Sequence, residues 1–296
     1  MKLGRAVLPS REIALVRIEG SRAIQLQGVT EADLIKVAMA RRNGEWKDGR
    51  EFDLDEVRFL PPVARPVSLR DFSAFEAHTK NCTEGVGGKM NPLWYQIPVF
   101  YFSNPNCIIG DGAAVIPPRN AKSLDLELEV ALVIGHECRD LAMDDPHWMD
   151  NVAGFFLMND WSARDLGAKE MQLFLGPSKA KDFATSFGPW LVTPDEMREE
   201  GGRIDLPLKA RINGQLRSDS NLREMYFDWR HLLAHASHDA TLVPGDVIGS
   251  GTCGSGCLLE LRITKGKDNN PWLKAGDVIE LEAGNLGRLR NTVGAS

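Results

Sequence analysis

The chain has no run of apolar residues long enough to span a bilayer, so no membrane-crossing helix is expected and membrane is excluded as a partner. Positive charge is also in short supply. The 35 Lys and Arg face 41 Asp and Glu, giving a formal net charge of −6, which argues against nucleic acid. The opening Met1-Lys-Leu-Gly-Arg-Ala-Val7 lacks a signal-peptide core. Cysteines are few and odd in number: Cys82, Cys107, Cys138, Cys253 and Cys257 show no framework spacing, so reduced thiols and a cytoplasmic location are expected. Cys253 and Cys257 flank Gly-Ser-Gly without a second Cys or His pair to complete a zinc site, and they read as small buried or loop thiols. Repeats and low-complexity segments are missing as well.

What is present suits one or two domains in 296 residues. Up to about residue 60 the chain reads as short strands, such as Ile13–Ile18, with one helix entered through Thr30-Glu-Ala-Asp33 and running to about Arg42. Pro61, Pro62 and Pro66 mark a linker, which predicts a small α/β domain over 1–65 and a larger part over 66–296. Gly154–Met158, Trp190–Thr193, Val130–Gly135 and the Gly-Asp turns leading into Val247 and Val278 predict strands. Ser68–Lys80 reads as a helix with Asp71 and His78 on one face. The fold class expected is mixed and β-dominated, α+β.

The most informative segment is Leu124-Asp-Leu-Glu-Leu-Glu-Val130, whose alternation predicts a strand with Asp125, Glu127 and Glu129 on one face. It runs into an apolar stretch with no polar residue on either face, so these acids are expected inside, where carboxylates need a counter-charge. Asp71, Glu127, Glu129 and Asp160 form an all-oxygen set that favours Mg²⁺, Mn²⁺ or Ca²⁺ over softer metals. Arg164, or Lys181 in Lys179-Ala-Lys-Asp-Phe183, is placed to offset their excess charge. His231, His235 and His238 have chelating spacing, but no carboxylate motif frames them, and an ordinary helix is expected there.

From Arg70 to Arg290 the chain resembles the fumarylacetoacetate hydrolase family. The resemblance rests on Arg70-Asp-Phe with His78, Pro98-Val-Phe-Tyr101, Leu124–Glu129, Met158-Asn-Asp-Trp-Ser-Ala-Arg-Asp165, Lys181-Asp-Phe-Ala-Thr185, Gly249-Ser-Gly-Thr252 and Leu259-Glu-Leu261. It implies a β-roll with a small N-terminal domain, assembled as a homodimer. It implies Asp71, Glu127, Glu129 and Asp160 as metal ligands, His78 as the base that activates water, and Glu260 as its partner. It further implies Lys181 and Thr252 as groups holding substrate or its developing oxyanion, Tyr101 as a substrate contact, and Arg164 as a charge-balancing arginine at the substrate site. The activity implied is metal-dependent hydrolysis of a carbon–carbon bond in a β-diketo acid, a small fumarylacetoacetate- or acylpyruvate-like keto acid. The alternatives on the same scaffold are a lyase (an oxaloacetate-type decarboxylase or sugar-acid dehydratase) and an isomerase.

The chain departs from the family pattern at Gly167, Ser73 and Asn81, where hydrolases often carry Gln, Tyr and Glu. The first two changes alter the substrate end of the site and suit a more hydrophobic or larger ligand. Asn81 favours pairing of His78 with Glu260.

Overall fold

The computed structural model describes residues 1–40, 44, 46–200 and 203–295. Its backbone is a 12-stranded sheet whose main path runs Lys47–Asp53, Arg22–Gln27, Ile13–Glu19, Lys2–Val7, Thr185–Val192, Val152–Asp160, Leu128–Ile134, Val247–Gly249, Leu69–Phe72 and Phe100–Ser103. Every position of Leu128–Ile134 and Val152–Asp160 is buried. Near-continuous apolar runs are what a strand covered on both faces needs. Side-chain alternation then divides the core. Val130, Leu132, Phe155 and Leu157 pack with Leu208, Ala210, Leu281 and Leu289 of a second, five-stranded sheet. Ala131, Val133, Phe156 and Met158 point the other way, onto Leu3, Leu15, Leu34 and Val37. Few helices accompany the sheets, chiefly Glu76–Gly85, Trp229–Ser237 and Leu258–Lys265, so the β-dominated α+β class holds.

Among the described residues, the first 65 carry the expected strands and one α-helix, Leu34–Ala40, entered through a capping box in which the Thr30 amide and hydroxyl each donate to Asp33 Oδ2 at 2.8 Å. Arg41 and Arg42, where this helix was expected to finish, lie outside the described residues. Lys2–Val7 pairs antiparallel with Thr185–Val192, Lys2 opposite Val192, so the large sheet runs without a break across the expected boundary at residue 65.

Two local expectations are corrected. The helix expected over Ser68–Lys80 begins only at Glu76; Leu69–Phe72 is a strand, parallel to Val247–Gly249 and antiparallel to Phe100–Ser103. All four of its side chains are buried between those neighbours, and pairing with remote backbone overrides the local helical pattern. Asp71 and His78 therefore sit on different elements. The strand expected to run from Leu124 through Val130 is interrupted at Leu126 and Glu127, where Leu124–Asp125 pairs with Ser162–Ala163 before Leu128 resumes opposite Asn159. The Glu127 amide is held by Asn159 Oδ1 at 2.8 Å across the interruption.

Removing residues 1–65 would uncover Phe156, Phe187 and Leu191 together with the strand Thr185–Val192. The chain 66–296 is expected to aggregate or melt without cooperativity, as read by circular dichroism, while the full chain melts in one transition. A cooperative melt of 66–296 near the temperature of the full chain would show a self-sufficient domain.

Candidate active site

Four elements converge on the interior acids. Asp71 comes from Leu69–Phe72, Glu129 from Leu128–Ile134, Asp160 from the end of Val152–Asp160, and Glu127 from the interruption. All four are buried. Oxygens of Asp71, Glu129 and Asp160 lie within 4.8 Å of one another. Each of these three carboxylates has one buried oxygen without a hydrogen-bond partner: Asp71 Oδ1, Glu129 Oε2 and Asp160 Oδ1. Unpaired buried acceptors are costly, and three of them on carboxylates gathered this closely fit a hard divalent cation. Burial, reinforced by repulsion from Asp160, pushes Asp71 well above the usual carboxylate range; burial and Asp71 do the same to Glu129.

Glu127 has the opposite environment. Its Oε1 accepts from Arg164 at 2.7 Å and its Oε2 from Lys181. Burial disfavours its charge, but Lys181 and Arg164 outweigh that and hold its pKa well below the ordinary value. Lys181 also bonds Asp160, and so links the two halves of the cluster. Arg164 sits where a charge-balancing group was expected, its second contact being Asp125 Oδ2 at 2.8 Å. Tyr101 and Thr252, expected at the substrate, face the acids: the Tyr101 hydroxyl lies 3.0 Å from Asp71 Oδ2 and also bonds Asp160, and Thr252 donates to Glu129 Oε1 at 3.3 Å.

Glycine makes room for this packing. A Cβ at Gly249, paired with Asp71 across the sheet, would fall 2.6 Å from Asp71 Oδ1. Gly251, at φ +78°, lets the chain turn past Phe72, whose carbonyl oxygen a Cβ would approach to 2.2 Å.

His78 and Glu260 meet as expected: Nδ1 lies 3.0 Å from Oε2, and Asn81 Nδ2 donates to Oε1 at 2.8 Å, so the carboxylate is fixed from both sides. Burial disfavours a charged imidazole, but the Cys257 sulfur and Glu260 outweigh it and push His78 up to about 10. A cleft of about 790 Å³ runs past the two cations and past residues that flank this pair in the chain. Its walls include Cys82, one turn beyond His78, then Leu259, Arg164, Lys181 and the apolar Val86 and Met171, with Gly167 leaving space opposite Ala180.

One participant escaped the sequence reading. Asp125, fully buried, accepts from the amides of Leu258 and Leu259 at 2.7 and 2.9 Å and so seats the helix that carries Glu260. Its place on the face shared with Glu127 and Glu129 was the available signal.

The sequence model of the fumarylacetoacetate (FAA) hydrolase C-terminal family matches residues 68–294. The chain belongs to the fumarylacetoacetate hydrolase family. Among its relatives, a fumarylacetoacetase of Arabidopsis thaliana is 32% identical over 250 residues, covering 66% of this chain and 59% of the relative. The chain thus spans less than two thirds of that plant enzyme. The oxaloacetate tautomerase YisK of Bacillus subtilis is 28% identical over 295 residues, 97% of this chain and 92% of the relative. A crystal structure of 5-carboxymethyl-2-hydroxymuconate delta-isomerase from Mycobacterium smegmatis superposes with TM-score 0.73 at 26% identity, each chain covered completely. Family members are enzymes, so a small-molecule substrate is implied. No helix among the described residues is long and apolar enough to cross a membrane.

Mg²⁺ or Mn²⁺ is expected to raise the melting temperature, by a free energy of about 2.7 kcal/mol at a hundredfold excess over the dissociation constant. Asp160→Asn should lose most of this gain, and Gly249→Ala part of it, because the added methyl crowds Asp71. Equal metal-induced shifts in all three proteins, read by scanning calorimetry, would place the ion elsewhere.

Proposed function

We propose that this chain hydrolyses a carbon–carbon bond in a β-diketo acid, with Asp71, Glu127, Glu129 and Asp160 as the holders of a hard divalent cation. The supporting observation is the hydrogen-bonded His78–Glu260 pair, whose chain neighbours Cys82 and Leu259 line the same cleft as Arg164 and Lys181, the two cations that bond the acidic cluster. A bound dication supplies Lewis-acid polarisation of a ligand oxygen. The residues of the chain do the rest. Glu260 holds the proton on His78 Nδ1, which leaves Nε2 to take a proton from water. The water oxygen adds to one carbonyl carbon, the carbon–carbon bond breaks, and its electron pair leaves as the enolate of a 2-oxo acid that is then protonated. Lys181, anchored by Glu127 and Asp160, presents an ammonium where negative charge develops. The cleft around Gly167, edged by Val86 and Met171, suits an acyl group bulkier and more apolar than a short dicarboxylic acid.

A second reading, tautomerisation or decarboxylation of an oxaloacetate-type acid, draws support from the near full-length match to an oxaloacetate tautomerase. Product analysis separates the two. Two acid fragments, one carrying the oxygen of labelled water, mark hydrolysis. Carbon dioxide, or an isomer of unchanged mass, marks the alternative.

His78→Ala is expected to lower kcat by about 10²–10⁴-fold and to keep the metal-induced gain in melting temperature; loss of both would remove His78 from the role of base. Because the base must be neutral and Glu260 raises its pKa, the rate should climb with pH. Glu260→Gln removes the anion, so the climb should begin at lower pH with a smaller plateau. An unchanged profile in Glu260→Gln would show that His78 does not set it.

A further inference from the structure

Among the described residues, His78, Cys82 and Cys257 form a second group whose potential donor atoms lie within 4.8 Å of one another. Cys82 Sγ is 3.8 Å and Cys257 Sγ 3.9 Å from His78 Nδ1, the nitrogen that also meets Glu260 Oε2 at 3.0 Å. Two sulfurs and one nitrogen therefore gather within reach of a single ion, and Glu260 meets the nitrogen alone. In a tetrahedral zinc site, bonds of about 2.3 Å to sulfur and about 2.0–2.1 Å to nitrogen put sulfur and nitrogen about 3.6 Å apart. The separations here exceed that by a few tenths of an ångström. Cys82 Sγ is also 4.0 Å from Nε2, so it lies over the ring, and the imidazole must turn Nδ1 from Glu260 toward the sulfurs to share an ion with them. The donors are soft, unlike the all-oxygen cluster, and thiolates select zinc-like cations over Mg²⁺. Entry is available, because Cys82 lines the cleft.

We propose that His78, Cys82 and Cys257 form a separate three-donor binding site for a thiophilic divalent cation, and that its occupancy switches the enzyme off by engaging His78. Binding releases one proton from each thiol and the Nδ1 proton of His78 to solvent, as two metal–sulfur bonds and one metal–nitrogen bond form. The inhibition rests on the reading of His78 as the base; the binding does not.

The test titrates Mg²⁺-loaded full-length protein with Cd²⁺ and follows the ultraviolet thiolate-to-cadmium absorption. One equivalent should produce the band. Cys82→Ser and Cys257→Ser should each weaken binding at least about tenfold, while Cys107→Ser leaves it intact; all variants are checked for folding by their Mg²⁺-dependent melting shift. Stoichiometric Cd²⁺ should abolish turnover of the unmodified protein, reversibly on chelation, and spare the residual turnover of Cys82→Ser. Undiminished bands in both Cys82→Ser and Cys257→Ser would overturn the site. A band that forms without loss of turnover would overturn the inhibition. Should no keto acid be turned over at all, the function proposed above fails, and the absorbance titration still decides the binding site.

Discussion

Five carboxylates, those of Asp71, Asp125, Glu127, Glu129 and Asp160, are packed into the interior against two cationic side chains, Arg164 and Lys181. Each ion removed from water carries a desolvation penalty of several kcal/mol, and much of the local structure meets that demand. Glu127 pairs one oxygen with each cation. Hydroxyls of Tyr101 and Thr252 are turned toward acids. Gly249 is reduced to backbone so that Asp71 can approach. The remaining deficit falls on three oxygens that no protein group satisfies, and a dication is the economical way to supply what they lack.

The same demand explains which parts of the fold were legible in the sequence. Apolar runs such as Val130–Ile134 and Val152–Met158 announce strands covered on both faces, because few other environments accept so many consecutive aliphatic and aromatic residues. The acids inside or beside those runs stood out for the same reason. Leu69–Phe72 did not: four residues carry too little periodicity, and its conformation is decided by Val247–Gly249, far away in the sequence. The interruption at Glu127 was hidden likewise, since it depends on Asn159.

Side-chain roles were less legible than side-chain positions. Family resemblance placed Tyr101 and Thr252 near the chemistry, yet what they touch follows from the three-dimensional arrangement of charge. His78 and Glu260, 182 positions apart, were paired by resemblance and meet at hydrogen-bonding distance. Asn81 fixes the far oxygen of Glu260, so a position that reads as a lost acid holds the surviving one in place. The meeting of Cys82 with Cys257 had no sequence signature, because one thiol lies in the helix Glu76–Gly85 and the other caps the helix Leu258–Lys265, and these come together only in the folded chain.

Asp125 touches neither the cleft nor the three converging oxygens, but it accepts from Arg164 and from the first two amides of the helix bearing Glu260. Charge balance at one end of the site and the seat of Glu260 at the other thus share a single side chain. Substitutions that tune one end for a new substrate will disturb the other. Divergence among sequences of this type should then proceed through the cleft walls, where Gly167 and Met171 stand, while the Asp125 hub stays fixed.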